Sequence, residues 1–119
     1  MLAQKNRFHG HASLKYVYRN GTVSRSRLFM VRAIVNQRRT THRCSVVVSK
    51  KVLKSAVGRN QIRRRVYHSI HAQLESLNDG PWDIVIGVCS AEVGVLPYHE
   101  VEAALQAQLR EVGALAPPQ

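Results

Sequence analysis

Two short clusters of cations carry the chemistry that this chain offers. Ser49-Lys50-Lys51, with Lys54 shortly after, is separated by one short loop from Arg59-Asn60-Gln61-Ile62-Arg63-Arg64-Arg65. No Asp or Glu interrupts them. All seven carboxylates lie at or beyond Glu75, while seventeen of the eighteen Lys and Arg residues lie before it. Residues 1–74 therefore hold a formal charge of +17 and residues 75–119 one of −6. A stretch this long without counter-charge repels itself as it folds, and a polyanionic partner is the physical reason for it to exist. The arginine fork holds phosphate oxygens bidentately, and each phosphate neutralised releases counterions. Such residues suit a nucleic-acid backbone.

The acids offer no rival chemistry. A two-metal nuclease needs carboxylates that converge on ions a few ångströms apart. Here Glu75, Asp79, Asp83, Glu92 and the three glutamates from Glu100 onward suit turns, helix ends and a solvated last helix. His9-x-His11 and the helical pair His68/His71 are the other reactive groupings, and neither has a third ligand nearby for a catalytic zinc. The expectation is that the chain holds no catalytic residue and no metal of its own.

The elements that must position the cations follow from periodicity. A chain of 119 residues, 45% apolar, reads as one domain over residues 1–119. Phe8, Leu14, Val17 and Tyr18 recur at roughly helical spacing, and Asn20-Gly21 stops them, which predicts a first helix over residues 12–19. Residues 28–35 are apolar and β-branched and predict a strand, with residues 22–26 a short edge strand before it. Residues 44–49 form a further strand, and the polar connection between suggests an antiparallel hairpin. Residues 56–77 predict a long helix whose stripe is Ile62, Val66, Ile70, Leu74 and Leu77, with Asn60, Arg64, His68 and His71 on another face. Residues 82–89 read as a buried strand and residues 98–112 as a last helix burying Val101, Leu105 and Leu109. Residues 114–119 read as a frayed tail, and Cys44 and Cys89 as two buried thiols without a disulfide.

The central motif resembles a known family. Val46-Val47-Val48-Ser49-Lys50-Lys51, followed by Ala56-Val57-Gly58-Arg59-Asn60-Gln61-Ile62-Arg63-Arg64, is similar to the signature region of the bacterial ribonuclease P protein subunit. Asn6-Arg7-Phe8, Leu14-Lys15-Tyr16-Val17-Tyr18-Arg19-Asn20-Gly21, Arg27-Leu28-Phe29 and Trp82-Asp83-Ile84-Val85-Ile86 fall in the order and spacing of its flanking segments. The resemblance implies an α/β (α+β) two-layer sandwich in the order αβββαβα. Its mixed sheet has about four strands, and a left-handed βαβ crossover carries the basic helix. It implies a subunit that binds ribonuclease P RNA and the 5′ leader of precursor tRNA and assists removal of the leader. The protein would be a monomer in a 1:1 complex with the RNA. Mg²⁺ would be held chiefly by the RNA and substrate.

Carried over by position, Lys50, Lys51, Lys54, Arg59, Asn60, Arg63, Arg64 and Arg65 would contact RNA, while Leu14, Tyr18 and Arg32 would line the leader cleft. The chain departs from the family pattern at three of its positions. Gln61 stands where the family has an arginine, with Arg65 close enough in sequence to replace the charge. Leu14 stands where a cleft Phe is usual, with Tyr16 two residues on, and Arg32 where an aromatic is frequent. The competing readings are a ribosomal or RNA-chaperone module, a DNA binder and a polybasic membrane anchor. The motif spacing, the strands around the basic helix and the lack of an apolar amphipathic face set them aside in turn. The first residues lack the apolar core of a signal peptide, and the apolar runs are too short to cross a bilayer, so a cytoplasmic protein is expected.

Overall fold

The structure is a computed structural model and describes residues 11–117, with side chains from Leu14 onward. Phe8 and His9 of the sequence reading, with the Asn6-Arg7-Phe8 match, lie outside the described residues. The elements run α1 (His11–Asn20), β1 (Thr22–Arg25), β2 (Phe29–Val35), β3 (Arg43–Val48), α2 (Ala56–Gln73), β4 (Trp82–Val88) and α3 (Tyr98–Glu111). Short 3-10 turns follow α2 at Leu74–Ser76 and β4 at Ala91–Gly94. This is the expected αβββαβα order in an α+β architecture with a four-stranded mixed sheet. The long helix divides at Gln73, and the turn at Ala91–Gly94 left no periodic signal in the sequence.

Strand pairing departs from the hairpin expectation. The sheet order is β1-β2-β4-β3, with β1/β2 and β2/β4 antiparallel and β3/β4 parallel. β4 thus lies between the two strands that sequence proximity had paired. The reason is burial. Ile84, Val85 and Ile86 are all at most 1% exposed, so β4 is apolar on both faces and belongs at the centre. α2 then serves as the crossover between two neighbouring parallel strands.

Alternation splits the sheet into two unlike faces. Phe29, Val31, Ala33, Cys44, Val46, Ile84, Ile86 and Val88 point to one side and form a single core with Ile62, Val66 and Ile70 of α2 and Val101, Leu105 and Leu109 of α3. The other face carries Met30, Arg32, Ile34, Arg43, Ser45, Asp83, Val85 and Gly87, and among the described residues the ten-residue α1 crosses it. There Val17 and Val85 are buried, with Leu14 and Ile34 packed against them.

Gly21 sets the position of α1. Its N–H donates to Val17 O at 2.8 Å and closes the helix. A Cβ there would come within 2.7 Å of that same oxygen and 3.2 Å of Ala33 O on β2, so only glycine lets the chain turn this close to the sheet. At the other end, residues 114–119 do not fray from their start. Gly113, at φ 89°, reverses the chain after α3, Asn78 N–H donates to Ala114 O at 2.8 Å, and Leu115 bridges Leu77. Ala114 and Leu115 are buried as a result. Cys44 is buried, whereas Cys89 is exposed, because β4 ends at Val88 and the next residue leaves the core.

Candidate RNA-binding surfaces

The β3–α2 loop and the first turns of α2 form a basic ridge. Ser55 caps the helix, accepting from Gly58 N–H at 3.1 Å, and starts α2 in the midst of the cations. Lys50, Lys51, Lys54, Asn60 and Arg64 are exposed along it, and Arg63 is half-buried with its guanidinium hydrogen-bonded to Asn60 Oδ1. None of these cations meets a carboxylate among the described residues. The ion pairs there are Arg27–Glu92 at the surface and Arg43–Asp83 in the sheet.

Two arginines of the motif are held by backbone carbonyls. Arg59 Nη1 donates to Leu53 O at 3.0 Å and Lys54 O at 2.7 Å, which ties the loop to the helix. Arg65, the sequence substitute for the cation missing at Gln61, donates to Val93 O at 2.6 Å and to Leu96 O, beside the Ala91–Gly94 turn. Its guanidinium braces the fold, and Gln61 is exposed. The cations with free ends are therefore Lys50, Lys51, Lys54 and Arg64.

The second surface is the half-covered face of the sheet. Tyr18 of α1 is 45% exposed, and the Arg32 guanidinium carbon lies 4.5 Å from its ring centroid. Arg32 Nε is buried with no hydrogen-bond acceptor among the described residues. Leu14 is half-buried in the small cluster beneath. Leu14, Tyr18 and Arg32 thus come together on one face as grouped in sequence. Tyr16 does not join them. Two residues from Leu14 it falls on the opposite side of the helix, where it is exposed. Sequence reasoning missed Gly87 and Val47, which face the same side on β4 and β3. A Cβ at Gly87 would make only ordinary contacts, 3.6 Å from Met30 O, so its bareness keeps the floor low.

One end of this face is fixed by charge. Asp83, 1% exposed, accepts from Arg43 Nε at 2.9 Å and Nη2 at 2.8 Å, and from Asn36 Nδ2 at 2.8 Å. His42 Nδ1 accepts from Trp82 N–H at 3.1 Å, and burial holds the imidazole below its usual range, which favours the neutral acceptor form. The Cys44 thiol is pushed far up by full burial and stays protonated. Among the described residues, no group of three or more His, Cys, Asp or Glu could hold a metal ion, and no helix is long and apolar enough to cross a membrane.

An acid-free ridge beside a shallow sheet face with a half-exposed tyrosine defines a basic α+β domain built for a polyanion. The comparisons make this specific. The family model for Ribonuclease P matches residues 2–113, and the chain belongs to the ribonuclease P protein family. It is 33% identical over 99 residues to the ribonuclease P protein component of Roseiflexus sp. (strain RS-1), covering 83% of this chain and 79% of that one. The fold matches a Staphylococcus aureus RNase P protein mutant with defective mRNA degradation activity. That match has a TM-score of 0.80 at 21% identity, over 92% of this chain and 90% of that one. The RNase P protein from Thermotoga maritima matches with a TM-score of 0.74 at 21% identity, over 87% and 96% of the two chains. The chain is accordingly a protein subunit of ribonuclease P, an endoribonuclease whose RNA is catalytic.

Proposed function

We propose that the ridge of Lys50, Lys51, Lys54, Asn60, Arg63 and Arg64 seats this subunit on ribonuclease P RNA, while the face bearing Leu14, Tyr18 and Arg32 holds the 5′ leader of precursor tRNA. The observation that carries this reading is the unpaired state of the ridge. Exposed cations with no carboxylate to meet are stabilised by phosphates, and phosphate contacts fix position without reading sequence. The sheet face supplies what single-stranded RNA requires, an aromatic ring for a base and a guanidinium over that ring. Arg59 and Arg65 also shape the ridge through their bonds to backbone carbonyls, and their remaining N–H groups stay available to phosphate. Mg²⁺ for cleavage is held chiefly by the RNA and substrate, in a cytoplasmic 1:1 complex.

The test is reconstitution with a bacterial ribonuclease P RNA and precursor tRNA at low Mg²⁺. The protein alone should leave the precursor uncut and should stimulate cleavage by the RNA. Contact with six to ten phosphates should cost affinity about 10³–10⁵-fold between roughly 50 and 200 mM salt. Cleavage at the mature 5′ end by protein alone, surviving ribonuclease treatment, would overturn the reading. So would binding that is indifferent to salt.

A further inference from the structure

Beside the basic ridge lies a half-open cavity of about 500 Å³, within the range of roughly 300–1,000 Å³ usual for ligand pockets. Its walls are Leu53 of the β3–α2 loop, Gln61, Ile62 and Arg65 of α2, and Ala91 and Val95 at the 3-10 turn after β4. Buried Ile62 contributes an apolar wall, Gln61 is an exposed wall residue, and Val95 is 83% exposed.

Both sides are pinned by the two committed arginines. Arg59 holds the carbonyl of Leu53 on one side, and Arg65 holds those of Val93 and Leu96 on the other. Gly94 brings the turn close to α2, since a Cβ there would sit 3.2 Å from Ile62 Cγ1. The cavity is therefore formed before anything enters it, and binding need not order its walls.

Its surroundings select the occupant. Every charge between residues 50 and 65 is positive, so a visitor must be anionic where it crosses the ridge. The lining is mainly apolar, with the Gln61 amide as its uncommitted polar group, so the part that enters must be apolar with a hydrogen-bonding edge. A nucleotide satisfies both demands through its phosphate and its base, and RNA is read mostly where bases are unstacked. Resting on the RNA-binding reading of the ridge, we propose that this cavity takes one unstacked base of the bound RNA. Gln61 pairs with the base edge through an amide that both donates and accepts.

The test measures affinity for a bacterial ribonuclease P RNA across a salt series, with chemical probing of its unpaired bases. Ala91 is exposed, so Ala91→Trp can fill the cavity without disturbing the core; circular dichroism and thermal melting check the fold. Ala91→Trp should weaken binding about tenfold or more while leaving the salt slope unchanged. One base protected by the wild type should become reactive again, and Gln61→Leu should weaken binding in part. Arg64→Ala, by contrast, should lower the salt slope by about one phosphate's worth. Folded Ala91→Trp with wild-type affinity and protection would overturn the proposal. So would an acidic, apolar peptide that binds the cavity while RNA protection there is absent. If Arg64→Ala and Lys50→Ala also leave affinity and slope untouched, the ridge reading itself has failed, a distinct result.

Discussion

The two faces of the sheet are built from the same four strands, yet they are committed to different tasks. Toward α2 and α3 the alternating residues of β2, β3 and β4 are apolar and buried, and on β1 the buried Ser24 accepts from Gln108 of α3. Toward α1 the same strands present Arg32, Arg43, Ser45, Asp83 and Gly87, under a helix of only ten residues. A face fully covered by two helices has no surface to offer RNA. A face crossed by one short helix can hold polar residues in its floor while borrowing its rigidity from the core one residue away. The leader site proposed above falls on this second face, which carries the polar residues of β2, β3 and β4.

The sharpest attempt to break that division is at Asp83, which lies on the open face and is nevertheless buried. Asp83→Ala would leave the Arg43 charge, on a side chain 12% exposed, without its carboxylate. Losing one partner of a buried pair costs about 3–5 kcal/mol, visible as a lower urea midpoint. The double replacement Arg43→Met with Asp83→Leu should recover most of that loss, because hydrophobic replacement of a buried pair is often neutral. A loss under about 1 kcal/mol for Asp83→Ala would mean that this end of the open face adds little to stability.

Much of this division was legible in the sequence, and the part that was not has physical causes. The stripe of Ile62, Val66 and Ile70, and the long apolar run of β4, follow from burial, which leaves a periodic trace. Charge segregation about Glu75 needs no structure at all. Strand neighbours leave no such trace: alternation says which face a residue takes, not which strand lies beside it, so β2 and β3 looked like a hairpin until β4 came between them. Cations are ambiguous in the same way. Nothing in Arg59 or Arg65 separates a guanidinium that braces carbonyls from one that awaits phosphate, whereas Arg64 between them stands free. Ala114 and Leu115 looked like tail because the contact that buries them is with residues near Leu77, far away in sequence.

A smaller effect should separate ridge from cleft. Tyr18→Ala should leave assembly with the RNA nearly intact, since the exposed cations of the ridge are elsewhere. With the holoenzyme assembled at saturating RNA, it should weaken binding of a long-leader precursor by about 1–3 kcal/mol, the loss of one base–aromatic stack. The loss should vanish for a precursor trimmed to a leader of about one nucleotide, if the stack is with a base further along the leader. Equal weakening of both substrates would remove Tyr18 from the leader cleft and make it a structural residue of α1.

The smallest expected change in stability tests the comparison from the other side. Gly87 lies on the central strand, where glycine normally weakens a sheet, and a Cβ there would meet Met30 O at 3.6 Å and Met30 Cβ at 3.9 Å, both ordinary contacts. The fold thus has no steric need for glycine, and its backbone is not in the left-handed region. What the missing side chain leaves is room on the open face, in the row shared with Met30 and Val47 and next to the row of Arg32 and Val85. Gly87→Leu should therefore change unfolding stability by no more than about 0.5–1 kcal/mol, with the entropy saved in the unfolded chain offsetting any strain. Long-leader binding should nevertheless weaken, with short-leader binding and assembly on the RNA preserved. A variant that unfolds would show that Gly87 is there for packing. A stable variant with unaltered long-leader affinity would show that the leader does not cross this part of the sheet, and the cleft would then be confined to the edge formed by Tyr18 and Arg32.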